Sequence, residues 1–125
     1  MLKKVIFLIT IFYSLALIVV CLYPFNKLPD IGVSFADKIF HSFTYVILVF
    51  LWFKTFVLHF KIVKIKSIIY ASIISIIFGI IIEVLQEVLT ETRRGDVYDV
   101  LANSIGVLVT ASILLLKNRN TVKKL

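Results

Sequence analysis

From Ile68 to Leu89 the chain is apolar apart from small hydroxyls and Tyr70, until Glu83, Gln86 and Glu87 appear near its far end. A short segment, Glu91 to Gly95, then leads into a second apolar run that carries Asp99 and Asn103 close to its start. With about 100° of rotation per helical residue, Ser72, Ser75, Gly79, Glu83 and Gln86 share one narrow sector, as do Asp96, Asp99, Asn103, Gly106 and Thr110 on the following helix. A helix in water turns its polar sector outward. Here the other sectors are Ile, Val, Leu and Phe, so the polar stripes must face the interior of a bundle and the apolar faces must meet lipid.

Composition agrees. Of the 125 residues, 61% are apolar, against about 45–50% in a soluble domain, and the mean hydropathy is +1.07. A single cysteine, Cys21, excludes an internal disulfide. The net charge of +7 does not point to nucleic acid, because the lysines and arginines sit at the ends of apolar runs instead of forming a patch interleaved with exposed aromatics.

In chain order, a basic start at Lys3 and Lys4 precedes an apolar run from Val5 to Tyr23. At 1.5 Å per residue that run covers about 28 Å, close to the ~30 Å hydrocarbon core of a bilayer. A secretory signal would have a shorter apolar region and a small-x-small cleavage site. The only such triplet, Ser14-Leu15-Ala16, lies inside the run, so an uncleaved first span is expected. Pro24 and Pro29 mark a non-helical connection, after which Ser34 or Asp37 is placed to cap a helix starting near residue 36. The second span is Ile39 to Leu58, with Lys54 able to snorkel; Asp37, His41 and Tyr45 form a stripe at i, i+4, i+8. A basic loop from His59 to Lys66 leads to the third span, Ile68 to Leu89, and the fourth runs from Val97 to Leu116, followed by a basic tail. The expected fold is therefore all-α, a single domain forming a four-span transmembrane helical bundle.

Charge sets the orientation. Lys3, Lys4, Lys54, Lys61, Lys64, Lys66, Lys117, Arg119, Lys123 and Lys124 belong to one side, and Lys27, Lys38, Arg93 and Arg94 to the other. The positive-inside rule then puts both termini in the cytoplasm. Every acidic residue, from Asp30 through Asp99, falls in the opposite half, and so do His41, Tyr45, Gln86 and Asn103. His59, Trp52 and Tyr98 read as interfacial residues.

Three motifs occur in order: Asp37-Lys38-x-x-His41-x-x-x-Tyr45, then Glu83-x-x-Gln86, then Arg94-Gly95-Asp96-x-x-Asp99-x-x-x-Asn103-x-x-Gly106. Together they resemble the VanZ-like family of small bacterial membrane proteins, over residues 37 to about 110. The resemblance implies a multi-span protein of the bacterial cytoplasmic membrane. Its founding member is an accessory protein of glycopeptide resistance linked to teicoplanin, so a role in tolerance of such drugs is implied too. This chain resembles a minimal version of the family, without an added domain.

Physically, Glu83 inside a span needs a partner or a proton, since a carboxylate at the bilayer centre costs about 2.5–3.5 kcal/mol on insertion scales. One reading is interhelical glue, with Glu83, Gln86 and Asn103 hydrogen-bonded to His41 and Tyr45 while Ser75, Gly79 and Gly106 let backbones approach. The preferred reading is a pocket for a polar or anionic headgroup, such as a membrane lipid or lipid-linked cell-wall intermediate. It would be built from Asp37, Lys38, His41, Tyr45, Glu83, Gln86, Arg94, Asp96, Asp99 and Asn103. Lys38, Arg93 and Arg94 would supply its cations, the Arg94 fork gripping phosphate or carboxylate unless it pairs with Asp96 or Asp99 to fix the turn. A catalytic alternative uses His41 as general base, oriented by Asp37 or Asp99, with Glu83 as acid, in a hydrolase or transferase acting on a lipid-linked substrate. One histidine with scattered carboxylates lacks the spacing of a metal site, and no cofactor motif is present, so neither a metal nor a cofactor is expected.

Overall fold

The computed structural model describes the backbone of residues 2–22, 34–89 and 97–123, with side chains for all of these except 34–38, 97 and 119–123. Four helices follow one another: α1 (Leu2–Leu22), α2 (Ser34–Leu58), α3 (Lys64–Leu89) and α4 (Val97–Lys123). The reason is the solvent. A backbone in hydrocarbon has no water to bond to, so it closes its own ladder, and none of the four runs contains a proline to interrupt that ladder. All four helices are long and apolar enough to cross a membrane, and no strand occurs among the described residues.

The helix boundaries differ from the apolar runs in an instructive way. Helix α2 begins at Ser34, so Ser34 and Asp37 lie within its first turns and neither precedes the helix as its cap. Helix α3 begins at Lys64, taking in the last three residues of the expected basic loop, and α4 continues through the basic tail to Lys123. Lysine is a good helix former, and its charge reaches water from a helix end. Hydropathy therefore marks where lipid ends, and the helices run past it.

Helix α2 is the central element. It packs against all three others, whereas α1 touches α2 and α3 but, among the described residues, not α4. The hydrophobic core accordingly draws Tyr45, Leu48, Val49 and Phe53 from α2, with Leu17, Ile68 and Val107 from its neighbours. Outward faces stay apolar and exposed, as at Phe12 and Val19 of α1, Phe43 of α2, Val84 of α3 and Leu108 of α4. With lipid outside, burial of oil against oil drives little, and close approach and polar contacts hold helices together. On α3, Ala71, Ser75 and Gly79 recur every fourth residue along the buried face and are all fully or nearly fully covered. On α4, an ideal Cβ on Gly106 would collide with the Ser42 carbonyl oxygen, so α2 and α4 meet backbone to side-chain-free backbone. Beside that contact the Ser42 hydroxyl donates to the Ala102 carbonyl at 2.8 Å.

Helix α1 is tied on by hydroxyls. Thr10 and Thr55, both fully buried, share a hydrogen bond of 2.7 Å, and the Tyr13 hydroxyl donates to the Thr44 carbonyl at 2.7 Å. At the same end as the α2–α3 connection, Phe7 of α1 stacks on His59 with centroids 4.6 Å apart. His59 is thus packed into an aromatic group with Phe7 and Phe60.

Candidate functional site

The stripes expected from helical spacing are buried. On α3, Ser75, Gly79, Glu83 and Gln86 are all covered, and on α4 so are Asp99, Asn103, Gly106 and Thr110. Ser72 is the exception, being half-buried with its hydroxyl donating to the Ile68 carbonyl of its own helix. Helices α2, α3 and α4 meet along these stripes, and the polar groups on them fall at the end of the bundle where α3 finishes and α4 begins.

Two groupings result. His41 of α2 faces Asp99 in the first turn of α4, with Nε2 and Oδ2 3.7 Å apart and the side chains only 12% and 11% exposed. That separation is an ion-pair distance for a protonated imidazole and too long for a hydrogen bond. Asp99 also benefits from its place near a helix N-terminus, where unpaired amides leave a partial positive charge. One helical turn deeper, the Tyr45 ring, Gly79 and Asn103 converge. An ideal Cβ on Gly79 would be 3.1 Å from the Tyr45 ring and 3.2 Å from Asn103 Nδ2, so the missing side chain makes room for both. Glu83, 6% exposed, follows Gly79 by one turn on α3, near enough to Tyr45 for electrostatic interaction.

Gln86 does something else. Its Nε2 donates to the Cys21 carbonyl at 2.8 Å, which fastens the end of α3 to the end of α1, a helix that the spacing pattern did not implicate. Asp37 and Lys38 lie on the first turns of α2, where only the backbone is described, and Arg94 and Asp96, with Arg93, lie outside the described residues. The expected cationic part of the pocket therefore has no described geometry.

Two buried polar atoms in this region have no hydrogen-bond partner among the described residues: Ser75 Oγ and Asn103 Oδ1. Their residues are 0% and 2% exposed. Buried polar atoms are nearly always satisfied, and leaving one unpaired costs about 1–3 kcal/mol, so such atoms mark places where a water or ligand group bonds. Sequence reasoning placed both residues on the stripes, Ser75 as a small residue for close packing. It missed Ser42, Thr10, Tyr13 and Thr55, whose hydroxyls make interhelical bonds. Isolated Ser, Thr and Tyr in apolar runs carry no periodic signal, because a hydroxyl can also bond within its own helix, as Thr44 does to the Phe40 carbonyl at 2.6 Å.

Chemically, the described cluster can hold polar groups in a low-dielectric setting and presents one imidazole beside one carboxylate. The catalytic alternative needs the carboxylate to orient the imidazole through a hydrogen bond, and at 3.7 Å the two lie beyond that distance. No group of three or more His, Cys, Asp or Glu among the described residues is arranged to hold a metal ion. Comparison of the chain with family models, with curated proteins and with solved structures finds no match in any of the three.

Proposed function

We propose that this protein is a VanZ-like, multi-pass protein of the bacterial cytoplasmic membrane, with both termini in the cytoplasm. Its polar cluster faces the outer leaflet and binds the headgroup of an envelope lipid or lipid-linked cell-wall intermediate, and through that binding it affects sensitivity to teicoplanin-type glycopeptides. The observation that carries the reading is the excess of buried polarity at one end of the bundle. Glu83, Asp99 and Asn103 are covered by three apolar helices, and Asn103 Oδ1 has no protein partner among the described residues. Interhelical packing elsewhere in the molecule uses single hydroxyls, each satisfied. The rival reading, polar glue, draws its support from Gln86, whose amide is used on the Cys21 carbonyl.

In this reading the cations come from Lys38, Arg93 and Arg94 on the sequence segments flanking the cluster. A guanidinium holds phosphate or carboxylate through two parallel N–H bonds, which lysine cannot reproduce, whereas mere attraction to Asp96 or Asp99 survives the exchange. The expected result is that native mass spectrometry of the purified protein finds a co-purifying anionic lipid. Arg94→Lys should fold normally and yet lose that lipid nearly as completely as Arg94→Ala. Wild-type lipid retention by Arg94→Lys removes the clamp and leaves Arg94 as a turn-fixing charge.

A further inference from the structure

The order of polar groups along α3 and α4 bears on which part of a headgroup reaches into the cluster. Asn103 lies deeper than either carboxyl group. Asp99 precedes it by one turn on α4, and Glu83 follows Gly79, which faces Asn103, by one turn on α3. Both carboxyl groups are buried and lie on the side of Asn103 toward the end of the bundle where α3 finishes and α4 begins. Asn103 itself is 2% exposed, and its Oδ1 has no hydrogen-bond donor among the described residues. Its Nδ2 lies 3.2 Å, and the Tyr45 hydroxyl 3.3 Å, from the point where a Cβ on Gly79 would sit, so the amide is turned toward the space that this glycine leaves. A group coming down from that end to complete Asn103 must pass two carboxyl groups and must carry a proton to donate.

A phosphodiester meets neither condition. It only accepts, and carboxylates one turn away repel its charge in a low-dielectric setting. An ammonium is drawn to carboxylates, but Asp99 already has His41 beside it at 3.7 Å, and an ammonium has no atom to accept from Nδ2 while its full charge must be stripped of water. A hydroxyl both donates and accepts, which matches an amide with one atom of each kind, and it brings no charge to desolvate. We infer that the group taken up at Asn103 is an alcohol hydroxyl, so that the ligand is a lipid phosphodiester with a polyol headgroup, a glycerol or a sugar. This rests on the headgroup reading above and gives the headgroup a direction: its phosphate stays with the segments that carry Lys38, Arg93 and Arg94, and its hydroxyls point inward past Glu83 and Asp99.

The test titrates the full chain in detergent with phosphatidylglycerol and with phosphatidylpropanol and reads binding by native mass spectrometry. The two lipids have the same charge and the same headgroup carbons and differ only in the hydroxyls. Phosphatidylglycerol should bind about tenfold more tightly, the effect of a net hydrogen bond or two. Asn103→Leu, close to asparagine in shape but without its polar atoms, should bring the two lipids within about twofold of each other. Its melting temperature should stay at or above that of the wild type, because an unpaired buried acceptor has been removed. Lower stability with equal weakening of both lipids makes Asn103 a packing residue and overturns the inference. Equal binding of the two lipids by the wild type overturns it without any variant and leaves the phosphate clamp standing, whereas failure of both to bind more tightly than phosphatidylcholine removes the headgroup reading as well. Tighter binding of phosphatidylethanolamine than of phosphatidylglycerol gives the position to an ammonium and also overturns it. Phosphatidylinositol distinguishes the two polyols, since tighter binding than phosphatidylglycerol assigns a ring and weaker binding a glycerol, and either order keeps the hydroxyl.

Discussion

Gly106 sits where α2 and α4 come closest, and its environment differs in kind from that of Gly79. At Gly106 an added methyl would meet the Ser42 backbone, which can yield only if α2 moves; at Gly79 it would meet the end of the Tyr45 ring and the Asn103 amide, which can rotate. Overpacking costs typically about 1–3 kcal/mol. Gly106→Ala should therefore lower stability in detergent by the upper part of that range or more, and Gly79→Ala by clearly less, as measured by thermal unfolding of the purified protein. Equal effects would mean that the α2–α4 crossing is looser than its geometry. Both glycines were legible in the sequence as small residues on the polar stripes, because helical spacing fixes which residues share a face. The partner of Gln86 was not. Spacing says that Gln86 points inward with Glu83, but which neighbour its amide finds depends on where α1 ends; Thr10, Ser14, Leu17 and Cys21 line one buried face of α1, yet a backbone carbonyl acceptor leaves no mark in the residue types.

The connection between α2 and α3 shows how an element ends without the usual glycine. The amides of His59 and Phe60 both donate to the Thr55 carbonyl, at 2.9 and 3.2 Å, and the Ile62 amide donates to the Phe56 carbonyl at 2.9 Å. The chain then reverses through Lys61 at φ 56°, in the left-handed region that glycine occupies freely and an L side chain does not. A non-glycine residue there costs about 1–2 kcal/mol, partly offset in the exchange by glycine's larger entropy in the unfolded chain. Lys61→Gly should thus be neutral or stabilising by up to about 1 kcal/mol, against the destabilisation a glycine brings in a helix, and thermal unfolding in detergent reads the sign. A loss above about 1 kcal/mol would show that the lysine side chain itself holds the turn. The four helices were legible from run length and from the absence of proline; their exact ends were not. Lysine and arginine continue α4 beyond the apolar stretch because helix propensity outlasts hydropathy there.

For the whole molecule, the distribution of charge makes the orientation testable. In a Cys21→Ser background, single cysteines at Lys27 and Arg93 should react with a membrane-impermeant maleimide from outside intact cells, while Ile62→Cys should react only after permeabilisation. Outside labelling at Ile62→Cys would reverse the orientation and with it the placement of the polar cluster. The central claim, that this cluster is a site and does more than join helices, is tested most directly by separating stability from binding. Glu83→Gln and Asp99→Asn keep shape while replacing a carboxyl by an amide, and His41→Gln replaces the imidazole by a side chain of similar length. Each should leave expression and melting temperature near those of the wild type, within about 1 kcal/mol for a polar contact between membrane helices, and at the same time abolish retention of the co-purifying lipid. If lipid retention instead falls in strict proportion to melting temperature across the three variants, the cluster is packing and the account is contradicted.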